Sequence, residues 1–314
     1  MPQIEAKLAA PTLLTYRIDD SRPVQLDFYA PTSYDPSANK YKTLVYFHGG
    51  GLVFGNRKSF LPVEFLSRVS SAGWIIISAD YHLLPESNLD DIRADVSALQ
   101  QWILKNHTTH GIDLSRVSVA GSSAGAFVSI ILLSSWTQIK TRAFANFFGA
   151  VDFTNEVSRV GASHVGPFRA SEILENEDIY KKYVDASTMG PKVWDDSSSA
   201  WDLKNRIGLS MWTILNGTLI NLINGDFNVS PNPEKIFNPS SLVTADFPPT
   251  ISVHGDADTL VPIEGSYALG RAYERVGVTH VMVSVPGAEH GLRPEADRIE
   301  LWERVVLFLQ ENSE

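Results

Sequence analysis

Val117-Ser-Val-Ala-Gly-Ser-Ser-Ala-Gly-Ala-Phe-Val-Ser-Ile-Ile-Leu-Leu-Ser-Ser135 decides the reading of this chain. The short apolar run Val117–Ala120 predicts a strand, and the largely apolar stretch from Ala124 to Ser135 predicts a helix that follows it directly. Between them Gly121-Ser122-Ser123-Ala124-Gly125 fits G-x-S-x-G, in which a serine is held out from a sharp strand-to-helix turn. Only Ser123 has a glycine two residues to either side, leaving room for the facing strand and helix. At about 7% usage for Gly and Ser, the three fixed positions recur by chance in roughly one chain in ten of this length. The strand-turn-helix setting therefore carries more weight than the pentapeptide.

Working outward, apolar runs at Leu13–Tyr16 and Val24–Tyr29 predict a hairpin at a sheet edge. Thr43–His48, Trp74–Tyr81 and Val117–Ala120 alternate with amphipathic segments, notably Asp90–Asn106 and Ala124–Ser135. That alternation predicts βαβ units and a mostly parallel sheet with helices on both faces. It continues at Ala143–Ala150 and lapses from about Asn155 to Ala245. It resumes with a strand at Pro249–His254, a helix near Gly265–Val276, a strand at His280–Val285 and a closing helix near Pro294–Gln310. The expected organisation is a catalytic core of residues 1–154 and 246–314, with 155–245 inserted as a helical cap. Within the insertion, Ala170–Val184 and Leu209–Ile223 read as helices, and Trp194, Trp201 and Trp212 either seal it onto the core or line a pocket.

A second motif, His48-Gly49-Gly50-Gly51, follows directly on the strand Thr43–Phe47. By composition it should arise by chance in only a few chains per thousand. Its glycines can aim backbone N–H groups at one point, as acyl transfer requires for the charge that develops on a carbonyl oxygen. Gly50 and Gly51 are the candidate donors, with Ala124 as a third. The phosphate-loop patterns G-x-G-x-x-G and G-x-x-x-x-G-K-[ST] are absent. A base and an acid are expected late in the chain, after strands. Glu289-His290-Gly291 and His254-Gly255-Asp256-Ala257-Asp258 supply them, His290 as base and Asp258 as the carboxylate that orients it. Asp256 is expected to hold the turn, and His48 and His254 to be satisfied loop residues.

These stretches, together with Asp80-Tyr81-His82-Leu-Leu-Pro-Glu86 and the run His254 to Pro262, resemble the hormone-sensitive-lipase-like branch of the α/β-hydrolases. The likeness runs from about Lys42 to the C-terminus, excluding the insertion. It implies an α/β-hydrolase fold, a triad of Ser123, Asp258 and His290, and carboxylesterase activity on short or medium acyl chains without a cofactor. Ser122 stands where that branch usually has an acidic residue and His82 where it often has arginine. The segment before the oxyanion loop is short, so the insertion is expected to build more of the pocket.

Composition narrows the alternatives. The 26 basic residues against 36 acidic ones are scattered, giving a net charge of −10 and no footprint for nucleic acid. There is no cysteine, which excludes disulfides and thiol chemistry. No metal-ligand motif is evident, and the expected partner is a small-molecule acyl ester. Sequons begin at Asn106, Asn216 and Asn228; without an apolar leader in Met1–Ala10 or a membrane-length run, the expectation is a cytoplasmic protein with no integral membrane segment. An edge strand or the final helix could serve a homodimer. Two other functions would use the same residues: acyl transfer, lactone or amide processing by the same nucleophile, and a ligand receptor that has lost catalysis.

Overall fold

The computed structural model describes residues 8–20, 22–153, 162–185, 192, 202–225, 238–293 and 299–314. Its centre is an eight-stranded sheet built from β1 (Thr12–Asp19), β2 (Arg22–Tyr29), β3 (Tyr41–Phe47), β4 (Ile75–Ala79), β5 (Ile112–Ser122), β6 (Thr141–Phe147), β9 (Thr250–Gly255) and β10 (His280–Val285). The spatial order is β1-β2-β4-β3-β5-β6-β9-β10. The first two strands form the expected edge hairpin, β2 runs antiparallel to β4, and every later pairing is parallel. Central strands such as Ile75-Ile-Ile-Ser-Ala79 are buried throughout, as a sheet covered on both faces requires.

One face is covered by α2 (Leu89–Asn106), α3 (Ala124–Ser135) and α8 (Glu264–Val276), the other by α1 (Val63–Ser71) and α9 (Ile299–Asn312). Helix α2 begins at a capping box: the Asn88 side chain accepts the Asp90 N–H, and the Asp91 carboxylate accepts the Asn88 N–H. Helix α3 starts and stops where its sequence predicts, and its residues Ala124 to Leu132 are all buried. The chain leaves β3 in one direction to form β4 and returns across it to form β5. The carboxyl ends of β3 and β5 thus flank a switch point, where open parallel sheets bind ligands.

Between β6 and β9 lie a two-stranded ribbon, β7 (His164–Val165) and β8 (Phe168–Arg169), then α4 (Ala170–Leu174), α5 (Glu177–Asp185), α6 (Arg206–Leu215) and α7 (Leu219–Ile223). Each of the two helices expected here is split. The Asn176 side chain donates to the Glu172 carbonyl, an alternative to helix continuation, and separates α4 from α5. Gly217, at φ +63°, ends α6: Thr218 N–H bonds to Thr213 C=O and Gly217 N–H to Ile214 C=O, a Schellman closure. Trp212 packs against Tyr180 and is buried away from the cavity described below. Trp194, Trp201, Asn155 and Asn228 lie outside the described residues, as does the expected start of the closing helix at Pro294. No described helix is long and apolar enough to cross a membrane.

Candidate active site

The serine of the G-x-S-x-G stretch sits at the junction of β5 and α3 with φ +54° and ψ −119°, a backbone conformation that non-glycine residues rarely hold. Its surroundings over-determine that conformation. Ser123 N–H donates to Phe147 C=O, and its own carbonyl accepts from Ala126 and Ala150. A Cβ on Gly121 would lie 2.3 Å from the Gly125 carbonyl oxygen, and one on Gly125 would lie 2.1 Å from that of Phe47. Both glycines are therefore dictated by close packing of strand, turn and helix, as the sequence spacing implies. Ser122 accepts the Tyr46 hydroxyl at 2.9 Å, a buried neutral bond at the position where an acid was a plausible occupant.

Ser123, His290 and Asp258 form one hydrogen-bonded chain. His290 Nε2 lies 3.1 Å from Ser123 Oγ, and Nδ1 donates to Asp258 Oδ2 at 2.7 Å. With the proton on Nδ1, the Nε2 lone pair faces the hydroxyl. Asp258 Oδ1 accepts the Leu260 and Val261 N–H groups at 2.9 and 2.8 Å. Burial raises the Asp258 pKa, but hydrogen bonds from His254 and His290, with the attraction of His290, outweigh it and hold the carboxyl well below its usual range. Asp256 instead accepts the Gly287 N–H at 2.6 Å, tying the β9 turn to the loop after β10. His254 is satisfied by Ser266 and by the Val261 carbonyl, and its Nε2 also approaches Asp258 Oδ2 to 3.2 Å. That last contact makes it a support for the carboxylate, a role its position at the end of β9 did not reveal.

The glycine loop after β3 faces this chain. Gly50 and Gly51 have φ +117° and +62°, and the N–H groups of Gly50, Gly51 and Ala124 have no partner among the described residues. A peptide's N–H points opposite its C=O, so each amide is aimed by what holds the preceding carbonyl. The Gly49 carbonyl, which aims Gly50 N–H, accepts from His48 Nδ1 at 2.6 Å. The Gly50 carbonyl, which aims Gly51 N–H, accepts from Val53 and Phe54 at 3.0 and 3.1 Å. Burial lowers the His48 pKa to about 4, so the ring is neutral; it stacks on Tyr81, whose hydroxyl bonds the His48 carbonyl.

Ser123, His290, Gly50 and Gly51 open onto a cavity of about 1110 Å³ whose walls include Phe60, Phe153, Met211, Ile214, Leu260 and Trp302. Helices α6 and α7, between β6 and β9, contribute Ser210, Met211, Ile214 and Leu219 to one side of it. Chemically, the site offers a nucleophilic hydroxyl, a base of the right tautomer, and amides beside them.

A mostly parallel sheet with this strand order, carrying serine, acid and histidine in that chain order at its carboxyl edge, defines an α/β-hydrolase. The chain belongs to the BD-FAE family, which it matches over residues 26–273. Among curated relatives it is 25% identical to probable carboxylesterase M8 of a Phoma species, over 92% of this chain and 91% of that protein. It is 24% identical to esterase LipC of Mycobacterium tuberculosis over 79% of this chain, spanning 52% of that longer protein. Among solved structures, an α/β-hydrolase superfamily protein from Enterococcus faecalis superposes with a TM-score of 0.67 at 21% identity, covering 96% of this chain and 98% of the other. Thermogutta terrifontis esterase 2, phosphoramylated by tabun, gives 0.65 at 17% identity, covering 97% and 96%.

Proposed function

We propose that this protein is a serine carboxylesterase of the hormone-sensitive-lipase-like branch, and that residues 155–245 cap its substrate pocket. Ser123 Oγ attacks the ester carbonyl while His290 Nε2 takes its proton; Asp258 keeps the imidazole in its tautomer and stabilises the imidazolium. The N–H groups of Gly50, Gly51 and Ala124 receive the charge on the carbonyl oxygen. His290 then protonates the departing alcohol, and water, activated by the same imidazole, releases the acid from Ser123. The observation that carries this reading is the unbroken chain of 3.1 and 2.7 Å contacts beside unpartnered amides. A short or medium acyl chain with its alcohol fits a cavity of this size, which slightly exceeds those that hold drug-sized ligands.

The test is a p-nitrophenyl ester series from acetate to decanoate. Wild type should turn over the shorter members, and Ser123→Ala should lose roughly 10⁴–10⁶ in kcat. Turnover undiminished in Ser123→Ala, or none by wild type at any chain length, would sink the assignment.

A further inference from the structure

Arg206 is the first residue of α6, yet its side chain is 1% exposed. A cation at a helix N-terminus opposes the helix dipole, so something outside the helix must hold it there. Nη1 and Nη2 donate to the Glu86 carboxylate, itself 5% exposed, at 2.7 and 2.9 Å. Nη2 also bonds the Leu84 carbonyl, and Nε donates to the Val53 carbonyl at 2.6 Å. Val53 belongs to the turn that carries the oxyanion amides. Val53 and Phe54 N–H hold the Gly50 carbonyl, and that carbonyl fixes where Gly51 N–H points. The same turn is pinned from the other side by Leu84 N–H on the Leu52 carbonyl at 2.8 Å. One helical turn beyond Arg206, Ser210 abuts Gly51 so closely that a Cβ there would lie 2.1 Å from its Oγ.

We propose that Arg206 is a positioning residue for the oxyanion site: acting through Val53, it fixes the direction of the Gly51 amide. The segment inserted between β6 and β9 then contributes to transition-state stabilisation as well as to the pocket wall. This rests on the esterase reading above. Stability alone gives no reason for the arrangement, because a buried ion pair can often be replaced by well-packed apolar residues of similar volume without loss. What apolar residues cannot supply is the donor on the Val53 carbonyl.

The experiment uses the full chain with Arg206→Met/Glu86→Gln, which removes the pair without stranding a buried charge, and Arg206→Lys, which keeps the charge. Melting temperature, kcat and KM on p-nitrophenyl butyrate, and inhibition by a butyl trifluoromethyl ketone are measured. That ketone forms a hemiketal oxyanion on Ser123 and so reports on the amides directly. The double variant should melt within a few degrees of wild type and lose about 10- to 100-fold in kcat, less than removal of a donor outright. Its KM should hold within about threefold, and ketone affinity should fall in step with kcat/KM. Arg206→Lys should recover part of the loss and serves alone should the double variant fail to fold. Full kcat in both variants, or a loss confined to KM with ketone affinity unchanged, overturns the inference. No ester turnover and no fluorophosphonate labelling of Ser123 in wild type would instead overturn the esterase reading, and this inference with it.

Discussion

The carboxyl edge of the sheet and the segment between β6 and β9 face the same cavity but hold their residues differently. At the sheet edge, each reacting group sits just beyond a strand, on backbone fixed by carbonyls and glycines packed within 2–3 Å of where a Cβ would lie. Between β6 and β9 the described α-helices are five to ten residues long. Helices that short have little stability of their own, so their placement comes from contacts with their surroundings. Tyr180 hydroxyl on the Leu203 carbonyl, the close fit of Gly208 beneath both, and the Arg206–Glu86 pair supply those contacts. The edge of the sheet sets the chemistry mainly through local backbone, and the segment between β6 and β9 is placed by a few side-chain anchors, one of which, Arg206, also reaches the turn after β3.

The largest effect separates two carboxylates that lie two residues apart at that edge. Asp258→Asn removes the charge that orients His290 and should lower kcat by about 10⁴ with the fold intact. Asp256→Asn loosens only the bond to Gly287 N–H and should leave kcat within about threefold, as surface changes away from special features do. Steady-state kinetics on one p-nitrophenyl ester decide it; comparable losses in both variants would mean that the β9 turn acts as a unit and that Asp258 has no separate role.

Next in size is a matched pair of glycines, one from each region. In Gly125→Ala the new methyl meets the Phe47 and His48 carbonyls at 2.1 and 2.6 Å, so α3 must move away from the strand that leads into the oxyanion loop. About 1–3 kcal/mol of stability should be lost, with kcat down at least about 100-fold. In Gly208→Ala the methyl meets the Leu203 carbonyl at 1.9 Å and the Tyr180 hydroxyl at 2.5 Å. The stability loss should be similar, but the rise in KM should exceed the fall in kcat, because Met211 and Ile214 carry the cavity wall with α6. Denaturant melts with kcat and KM for both variants would break the comparison if Gly208→Ala lost kcat as severely as Gly125→Ala.

The same contrast explains what could be read from the sequence. Strand periodicity, the two glycines around Ser123 and the glycine run after β3 are local signals with local causes, and the structure brings Ser123, His290, Asp258, Gly50, Gly51 and Ala124 together. Asp258 was separable from Asp256 only by spacing, and the geometry that distinguishes them, two N–H donors on Oδ1 and the imidazole on Oδ2, is tertiary. In the insertion, the Asn216-Gly217 pair was a legible stop signal inside a run that otherwise reads as one helix. Helix α1 carried a weak signal, having nine residues and no side-chain cap. Arg206 had no signal at all: its partners are a carboxylate 120 residues earlier and backbone carbonyls, which leave no pattern in the sequence.

The smallest effect concerns His82, which stands where arginine is common in the branch that the motifs resemble. Its Nδ1 lies 2.7 Å from Asp95 Oδ2 on α2 and its Nε2 3.2 Å from Asp19 Oδ2 on β1, with Arg17 bridging the same two carboxylates at 2.6 and 2.7 Å. Both ring nitrogens can donate at once only in the imidazolium, so histidine here does an arginine's work when protonated. Burial lowers its pKa, but the hydrogen bond and charge of Asp95 outweigh that, and the net shift is upward. A histidine whose folded pKa is raised stabilises fully below its unfolded value, about 6.5, and loses that contribution as pH climbs through the folded value. Wild type should therefore melt a few degrees above His82→Gln at pH 6, with the gap closing as pH rises through the raised folded value, and with ester turnover at a fixed pH little changed. A gap that widened with pH would show that His82 does not hold its carboxylates as an imidazolium, and a loss of turnover as large as that of Gly125→Ala would show that the edge hairpin is coupled to the site and does not simply close the sheet.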